Sequence, residues 1–365
     1  ALYPALAEGK KFFPFVSPYN SGQNMSINFG QKPFKFPPPD GFQPINAANV
    51  RPSTVISRPD QYVGVTTYAG TGNPLIVPGL NMKPDFIWIK NRGASQKHTL
   101  VDSVRTTATG EYLASDSTQA QGTGVHISGV ENGISIADPN SSTIWYNDSS
   151  YDYVAWAWKA GGSKGTFNFD DVSYASAAAA GLDGGLTVTG ASVGTKQGFS
   201  IIKATGSNSQ NSFKHGLGKV PKFVIAKDID NTRAWYIYHG SLGANYRGSF
   251  GGSAFTSDSE YFGSGMTDTL VTLKSGGSGG NNYNGADMIY YVWADVPGLQ
   301  KFGTYSGNSS TDGPFIELGF RPALFVMKQT DSTGYWMVYD SARDSINNGS
   351  PYYLFWNASS AHGTG

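Results

Sequence analysis

The chain has 365 residues, enough for two to three domains of about 100–200 residues each. Charged residues make up 14% of it, and basic and acidic side chains balance at 26 each, so it has no basic surface of the kind that binds nucleic acid or an anionic membrane. The absence of Cys excludes disulfides, thiol nucleophiles and Cys-based zinc sites. No apolar run reaches the roughly 18 residues of a membrane span. We therefore expect neither nucleic-acid binding nor membrane insertion.

The first predicted element is a strand near the N-terminus, followed by an extended segment. Residues 28–34 have strand composition, and the Pro-Pro-Pro run at 37–39 has no place in a central strand. The sequence begins at Ala1 with neither Met nor the basic and apolar pattern of a signal peptide. We expect residues 1–52 to be the end of one β-domain, and the sequence to be a piece of a longer protein.

Three later segments share one pattern: a proline, one variable residue, four apolar residues and a lysine. They are residues 84–90, 221–227 and 322–328, with the proline of each separated from the next by 137 and then 101 residues. Self-similarity at constant spacing is typical of internal repeats. The pattern predicts three related copies of one structural unit.

The same spacings align further residues, which tests the repeat. Asp102 aligns with His239 and Asp340, and Trp156 aligns with Trp293. The third counterpart of Trp293 would be position 394, beyond the sequence, so we expect the third copy to be incomplete.

Within each copy the residue pattern predicts short strands and turns. Residues 86–89 are β-branched and aromatic, and a Gly/Asn/Ser-rich loop separates them from a second strand near 98–102. Residues 62–68 and 199–203 read as a further strand in copies 1 and 2. Several short strands without helical periodicity predict an all-β protein of tandem, jelly-roll-like β-sandwiches. Trp156 and Trp293 are predicted core residues.

The stretch between the first two copies lacks an apolar stripe and is rich in Gly and Ala, so we expect a linker there, or an arm that lies along a neighbour. The predicted division of the chain is 1–52 for the N-terminal segment, 60–160 for copy 1, 161–197 for the linker, 198–298 for copy 2 and 299–365 for the truncated copy 3.

A family resemblance adds to this interpretation. The segment INFGQKPFKFPPPDGFQPINAANV (27–50) resembles the closing strands of a SPRY-type, concanavalin-like β-sandwich found in large structural proteins of marine bacteriophages. The repeated motifs, among them KPDFIWIKNR, YVAWAWKAGG and HGLGKVPKFVIAK, are similar to tandem domains of the same phage proteins, which are common in cyanophages. The resemblance implies a non-enzymatic virion structural protein, with no catalytic residues to carry over.

The strongest catalytic candidate is an Asp-Ser-x-Arg group that occurs in two copies, as Asp102-Ser103 with Arg105 and as Asp340-Ser341 with Arg343. A carboxylate beside an Arg could bind an acidic sugar. Copy 2 has His239, Gly240 and Leu242 at these positions. Because a chemical site would not tolerate that exchange, we interpret the Asp as a turn cap that pairs with Arg.

Other candidate sites are weaker. Hydrolysis of a glycosidic bond needs two carboxylates roughly 5–10 Å apart, and the tight acidic pairs Asp170-Asp171 and Asp228 with Asp230 are better interpreted as turn residues. The five His have no metal-binding spacing, and the Gly-rich stretch 276–280 lacks the Gly-Lys-Ser/Thr of a phosphate loop. Asn-x-Ser/Thr triplets such as 140–142 and 308–310 arise by chance in so Asn- and Ser-rich a chain. We predict no catalytic, metal or cofactor-binding residues and no cofactor, and the ligand-binding residues stay unknown.

The leading functional hypothesis is a tail fibre or tail-associated adhesin, located on the virion and contributing to attachment to host-surface glycans. Its expected partners are itself, as a homo-oligomer and most often a trimer by analogy with fibres, other tail or capsid proteins, and host glycan. A Tyr-, Gly-, Ser- and Asn-rich surface suits such recognition. Two alternatives stay open: a capsid decoration or head-fibre protein, and a glycan-depolymerising tailspike-type enzyme.

Overall fold

A computed structural model of the chain describes residues 55–105, 109–137, 143–258, 261–263, 265–274, 280–344 and 352–364, together with residues 26, 28 and 32. The chain divides into two compact units, Ala1–Ser53 and Thr54–Gly365, and the described strands lie in the second. The predicted N-terminal strand and proline-rich segment lie outside the described residues, apart from those three positions.

Copy 1 forms two antiparallel sheets behind a short 3₁₀ helix, η1 (Pro59–Gln61). Its strands are β1 (Val63–Ala69), β2 (Leu75–Pro78), β3 (Phe86–Asn91), β4 (Thr99–Asp102), β5 (Ile127–Val130), β6 (Gly133–Ile136) and β7 (Asp152–Trp158). The larger sheet has the order β1-β7-β3-β4 and the smaller the order β2-β6-β5. The two sheets enclose a core of their own.

The alternation of side chains along β3 explains why this strand is apolar at every position from 86 to 89. Phe86 and Trp88 project from one face of the sheet, while Ile87 and Ile89 project from the other, and all four are buried. On the first face Trp88 stands opposite Trp156 of β7. A strand buried on both faces needs large apolar residues throughout.

The predicted linker is wrong. Residues 161–197 contain β8 (Phe167–Phe169), β9 (Val172–Tyr174) and β10 (Thr187–Gly194), and β10 pairs with the first strand of copy 2 on one side and with β8 on the other. The second half of β10 is buried although it is built from small residues. Composition misled the prediction because a strand enclosed by its neighbours can bury Ala, Ser and Gly without an apolar stripe.

Copy 2 continues that sheet. Its elements are β11 (Phe199–Thr205), β12 (Asn211–Lys214), β13 (Pro221–Asp228), β14 (Tyr236–His239), the 3₁₀ helix η2 (Gly240–Leu242), β15 (Tyr246–Ser249), β16 (Thr256–Ser257), β17 (Leu270–Leu273) and β18 (Asp287–Ala294). The nine-stranded sheet has the order β16-β15-β14-β13-β18-β11-β10-β8-β9, and β12 and β17 pair separately above its outer face.

Copy 3 contributes the sheet β19-β20-β21-β22, with β19 (Leu324–Met327), β20 (Met337–Asp340), β21 (Tyr352–Phe355) and β22 (Gly363–Thr364). β19 and β20 occupy the positions of β3 and β4 in copy 1 and of β13 and β14 in copy 2. Antiparallel sheets with buried inner faces in all three copies confirm the predicted all-β, sandwich-type fold.

One hydrophobic core joins the three copies. The repeat in the sequence had instead suggested separate sandwiches in series. The ring of Phe86 stacks on Tyr291 of copy 2, and the ring of Trp88 stacks on Trp356 of copy 3, each with centroids 4.4 Å apart. The inner faces of three sheets thus meet: the larger sheet of copy 1, the nine-stranded sheet and the sheet of copy 3. We call the hydrophobic cluster between them the shared core. Trp156 and Trp293 both lie in it and are buried, as predicted.

Candidate functional site

The Asp102–Arg105 group is a buried structural pair. Arg105 Nε lies 2.6 Å from Asp102 Oδ2, and Asp102 Oδ1 accepts hydrogen bonds from the backbone N–H groups of Val104 and Arg105. The hydroxyl of Tyr291, in copy 2, donates to Asp102 Oδ2 over 2.7 Å. Both charged side chains are enclosed, so a soluble ligand does not reach them. The capping and pairing inferred from sequence are the geometry observed.

Copy 3 repeats the arrangement with Asp340 and Arg343. Arg343 Nε lies 2.6 Å from Asp340 Oδ2, and Trp156 of copy 1 donates its Nε1 hydrogen to the same oxygen over 2.9 Å. In copy 2 the aligned position is taken by His239, whose ring accepts the backbone N–H of Ser241 at the start of η2. Two of the three copies therefore use the Asp-Arg pair to bind β7 or β18 of a neighbour.

Lys90, Lys227 and Lys328 end the three repeated segments and make equivalent contacts. Each ammonium group donates to the carbonyl of the next residue and to the carbonyl four positions on. Lys90 also donates to the carbonyl of Ser359 in copy 3, and Lys227 to that of Thr118 in copy 1. Burial lowers the pKa of Lys90 and the pKa of Lys227 to about 8. These lysines hold a loop of their own copy, and two of them also hold a neighbouring copy.

His98, Trp235 and Trp336 occupy aligned positions, and each bonds a backbone carbonyl of another copy. The three bonds are His98 Nε2 to Ala358 O at 3.0 Å, Trp235 Nε1 to Ser117 O at 2.9 Å and Trp336 Nε1 to Ser249 O at 3.1 Å. His98 Nδ1 accepts the indole hydrogen of Trp88 at 2.8 Å, which places the ring hydrogen of neutral His98 on Nε2. Burial lowers the pKa of His98 to about 3, so the ring is neutral at pH 7.

Backbone hydrogen bonds run around the three copies in one direction. An N–H group of copy 1 donates to copy 2, one of copy 2 donates to copy 3, and one of copy 3 donates back to copy 1. The bonds are Gln121 N to Ile229 O, Phe255 N to Thr330 O and His362 N to Arg92 O, at 2.8–3.0 Å. The three accepting residues align at the repeat spacings, so the copies form a closed ring around the shared core.

The first acidic pair forms a tight turn, as the sequence suggested. Asp170 and Asp171 connect β8 to β9 with positive φ angles of 48° and 65°, the backbone of a two-residue hairpin turn. The carboxylate of Asp170 accepts hydrogen bonds from Thr195, and that of Asp171 pairs with Lys159. The two carboxylates have different partners and do not form a catalytic pair.

The second acidic pair also belongs to a turn. Asp228 is buried at the end of β13, where one carboxylate oxygen accepts the backbone N–H groups of Asp230 and Asn231. Asp230 instead accepts the backbone N–H of Asp287 across the sheet. Asp228 thus has the turn role predicted for it, whereas the carboxylate of Asp230 satisfies a backbone donor of a distant strand.

The remaining motifs do not assemble a chemical site in the part of the chain that the structure describes. No group of three or more His, Asp or Glu there is placed to hold a metal ion, and no helix there is long and apolar enough to cross a membrane. His215 bonds the Leu217 N–H and the Thr267 carbonyl within a turn. The triplet at 140–142 and residues 276–279 of the Gly-rich stretch lie outside the described residues.

A cleft of about 330 Å³ opens at one end of the larger sheet of copy 1. β1 and β3 begin and β7 ends there, because Val63 and Phe86 both pair with Trp158. Loops at these strand ends bring together residues that are far apart in sequence. The polar side chains around the cleft include Tyr62, Lys83, Glu131, Lys159, Lys164 and Asp171.

The three carboxylates of the cleft differ in burial and in partners. Asp85 is buried, and its Oδ2 accepts the backbone N–H groups of Ala160 and Gly162, while burial raises the pKa of Asp85. Asp171 is paired with Lys159 at 2.7 Å. Glu131 is exposed on the β5–β6 turn.

The cations of the cleft can bind an anionic or hydroxyl-rich ligand. Lys83 is partly exposed before β3, and Lys164 is exposed in the loop between β7 and β8. An ammonium group donates three hydrogen bonds to carboxylate, sulfate or hydroxyl oxygens. Copies 2 and 3 have Lys222 and Ala323 in place of Asp85, so the chemistry of this cleft belongs to copy 1.

Comparison with protein families gives one result for this fold. The family model of a domain of unknown function, DUF7483, matches residues 58–365. The chain belongs to the DUF7483 family. The match covers the three copies and the strands between copies 1 and 2, in agreement with the compact unit seen in the structure. Comparison with curated proteins and with solved structures finds no match.

Sequence reasoning missed two features of the DUF7483 domain. The lysine that ends all three repeated segments was a visible signal, but its part in joining the copies was not inferred. The cleft had no signal, because Tyr62, Lys83 and Lys164 lie about 20 to 100 positions apart in the sequence, and only the sheet brings them together.

Proposed function

We propose that this chain is a non-enzymatic structural protein of a bacteriophage particle, part of a tail fibre or another tail-associated adhesin, and that it contributes to attachment to host-surface glycans. Its place is the virion, and its partners are further copies of itself as a homotrimer, other virion proteins and host glycan. The repeated motifs that resemble tandem domains of phage structural proteins support this proposal.

The ring of three copies supports a structural role. A fibre transmits force between the particle and the host, which favours a unit that resists local unfolding. Aromatic residues of all three copies stack in the shared core, and buried Asp-Arg pairs join their sheets. Stability that rests on contacts between copies makes opening of one copy costly for the others.

The cleft of copy 1 is the observation that carries the glycan part of the proposal. Its volume of about 330 Å³ lies at the lower end of the range for small-ligand sites, about 300–1,000 Å³. Its polar lining and its Lys side chains suit a hydroxyl-rich, acidic saccharide. Lys83 and Lys164 are the residues that we expect to contact the anionic groups.

Immunogold labelling tests the position on the particle. Antibody raised against residues 1–365 is applied to purified phage particles. Gold along tail appendages is the expected result. Gold over the head would replace this proposal with a capsid decoration or head fibre, and absence of label from the particle would end the virion hypothesis.

Binding to lipopolysaccharide and capsular polysaccharide from marine cyanobacteria tests the ligand. The double variant Lys83→Ala with Lys164→Ala should weaken binding at least about tenfold. The matched control removes Lys214 and Lys301, two cations in copy 2 and after it that form exposed ion pairs away from the cleft. Equal binding by both variants would exclude the cleft, and new reducing ends in the polysaccharide would favour the depolymerase.

A further inference from the structure

Within the part of the chain that the structure describes, the sheet of copy 3 has an unpaired strand edge where copies 1 and 2 have a paired one. In copy 1, β3 pairs with β4 on one side and β7 on the other, and in copy 2, β13 pairs with β14 and β18. Among the described residues, β19 pairs with β20 alone. We call the other side of β19, with its backbone N–H and C=O groups, the β19 edge. The corresponding sides of β3 and β13 pair with β7 and β18.

Side chains next to the β19 edge are exposed where their counterparts are buried. Phe325 is 36% exposed, whereas the aligned Ile87 and Val224 are 2% and 0% exposed. Met327 is likewise only partly buried, whereas the aligned Ile89 and Ala226 are fully buried. Exposed apolar side chains on an unpaired edge strand are typical of an interaction site.

The segment before β19 shows the same deficit. β1 pairs with β7, and β11 pairs with β18, so the first strand of copies 1 and 2 depends on the last. In copy 3 the corresponding residues 300–306 are described without a strand. Phe302 at the start of this segment nevertheless packs on the shared core through Phe223, with ring centroids 5.5 Å apart. The segment therefore packs on the shared core, and no described strand pairs with it.

We propose that the β19 edge accepts an antiparallel β-strand of the β7 and β18 type, which inserts between β19 and residues 300–306. The aromatic residues of that strand would alternate and face the shared core. By the register of copies 1 and 2, where Phe86 pairs with Trp158 and Phe223 with Trp293, a Trp of the added strand would stand opposite Leu324.

The sizes of the facing residues favour this occupant over a second β19. In copies 1 and 2 the corresponding strands are β7 and β18. They place an aromatic residue opposite each of the core-facing positions 86, 88, 223 and 225. β19 itself presents Leu324 and Val326 to the shared core, and both stay partly buried. A second β19 would bring two more short side chains, whereas a strand of the β18 type brings the Tyr and Trp that fill this space in copy 2.

A synthetic peptide with the sequence of β18 (Asp287–Ala294), extended by Lys at both ends for solubility, is the probe. Its binding to the full chain is measured by fluorescence anisotropy, and the site by hydrogen exchange with mass spectrometry. We expect exchange to slow at least about tenfold both at 324–327 and at 300–306. β3 and β13, whose two edges are already paired, should show no change and serve as internal controls.

The matched control peptide has Pro in place of the residue that corresponds to Tyr291. Pro removes a backbone donor and blocks strand pairing. Binding of both peptides alike would show adhesion to the apolar patch and overturn the proposal. Protection at 324–327 without protection at 300–306 would overturn the insertion. Protection of 324–327 that rises with protein concentration in the absence of peptide would assign the edge to a second copy of the chain instead.

Discussion

Replacing Tyr291 with Phe removes one hydroxyl group from the junction of copies 1 and 2. That hydroxyl donates to Asp102 Oδ2 over 2.7 Å and accepts from Arg105 Nη2 at 3.3 Å, and the side chain is fully buried. Hydrogen bonds to charged groups contribute about 1.5–3 kcal/mol. Since Arg105 still binds the same carboxylate oxygen in the variant, we expect a loss of about 2 kcal/mol in the free energy of unfolding.

The adjacent Tyr290 provides the matched control. It is equally buried, and its hydroxyl donates over 2.7 Å to the carbonyl of Asn281, within copy 2. A bond between neutral groups contributes about 0.5–1.5 kcal/mol, so Tyr290→Phe should cost about 1 kcal/mol. The two variants lose the same atom from neighbouring positions on opposite faces of β18.

Urea unfolding followed by Trp fluorescence measures both losses, and hydrogen exchange shows where they act. Because the copies share one core, Tyr291→Phe should lower protection in β4 of copy 1 as well as in β18 of copy 2. A cost no larger than that of Tyr290→Phe, or a loss of protection confined to copy 2, would refute the view that this contact joins the copies.

Further outcomes follow from the same packing. Because the pKa of His98 is lowered to about 3, the native state binds fewer protons than the unfolded state between that pH and about pH 6.5. The free energy of unfolding, measured with urea, should therefore fall by about 1.4 kcal/mol per pH unit below pH 6.5 on account of His98. A His98→Gln variant should lose this part of the pH dependence. Trp156→Ala and Trp293→Ala should each cost about 3–5 kcal/mol in the same assay, and a loss of host adsorption at unchanged stability would contradict their assignment to the core. Gly206→Ala should lower the free energy of unfolding, measured by calorimetry, by about 1–3 kcal/mol, because the new Cβ would overlap the Tyr283 carbonyl. The Cβ of Gly307→Ala meets nothing within 4 Å, so that variant should keep its stability. Equal losses in the two variants would contradict the steric argument.

Several strands could be predicted from the sequence, and one group could not. The pattern of proline, four apolar residues and lysine marks β3, β13 and β19, and in β3 and β13 the apolar run is buried on both faces of the sheet. β10 escaped prediction because four of its six buried positions carry Gly, Ala or Ser, and their burial depends on neighbours supplied by β11 and β8. The turn roles of Asp170 and Asp228 were predictable because Asp tolerates a positive φ, as at Asp170, and bonds backbone groups a few residues away, as at Asp228.

The candidate site was less accessible to sequence reasoning. Lys83 and Lys164 meet at one cleft because strand ends on one side of a sheet lie together, and the pairing order that places them there is not local information. The amino-acid sequence by itself determined the repeat, the all-β character and the local caps, because these depend on residues near one another or on side-chain alternation. Only the tertiary structure decided that the inner faces of three sheets share one core, since both faces of each central strand are apolar and nothing in their pattern says which face meets another copy.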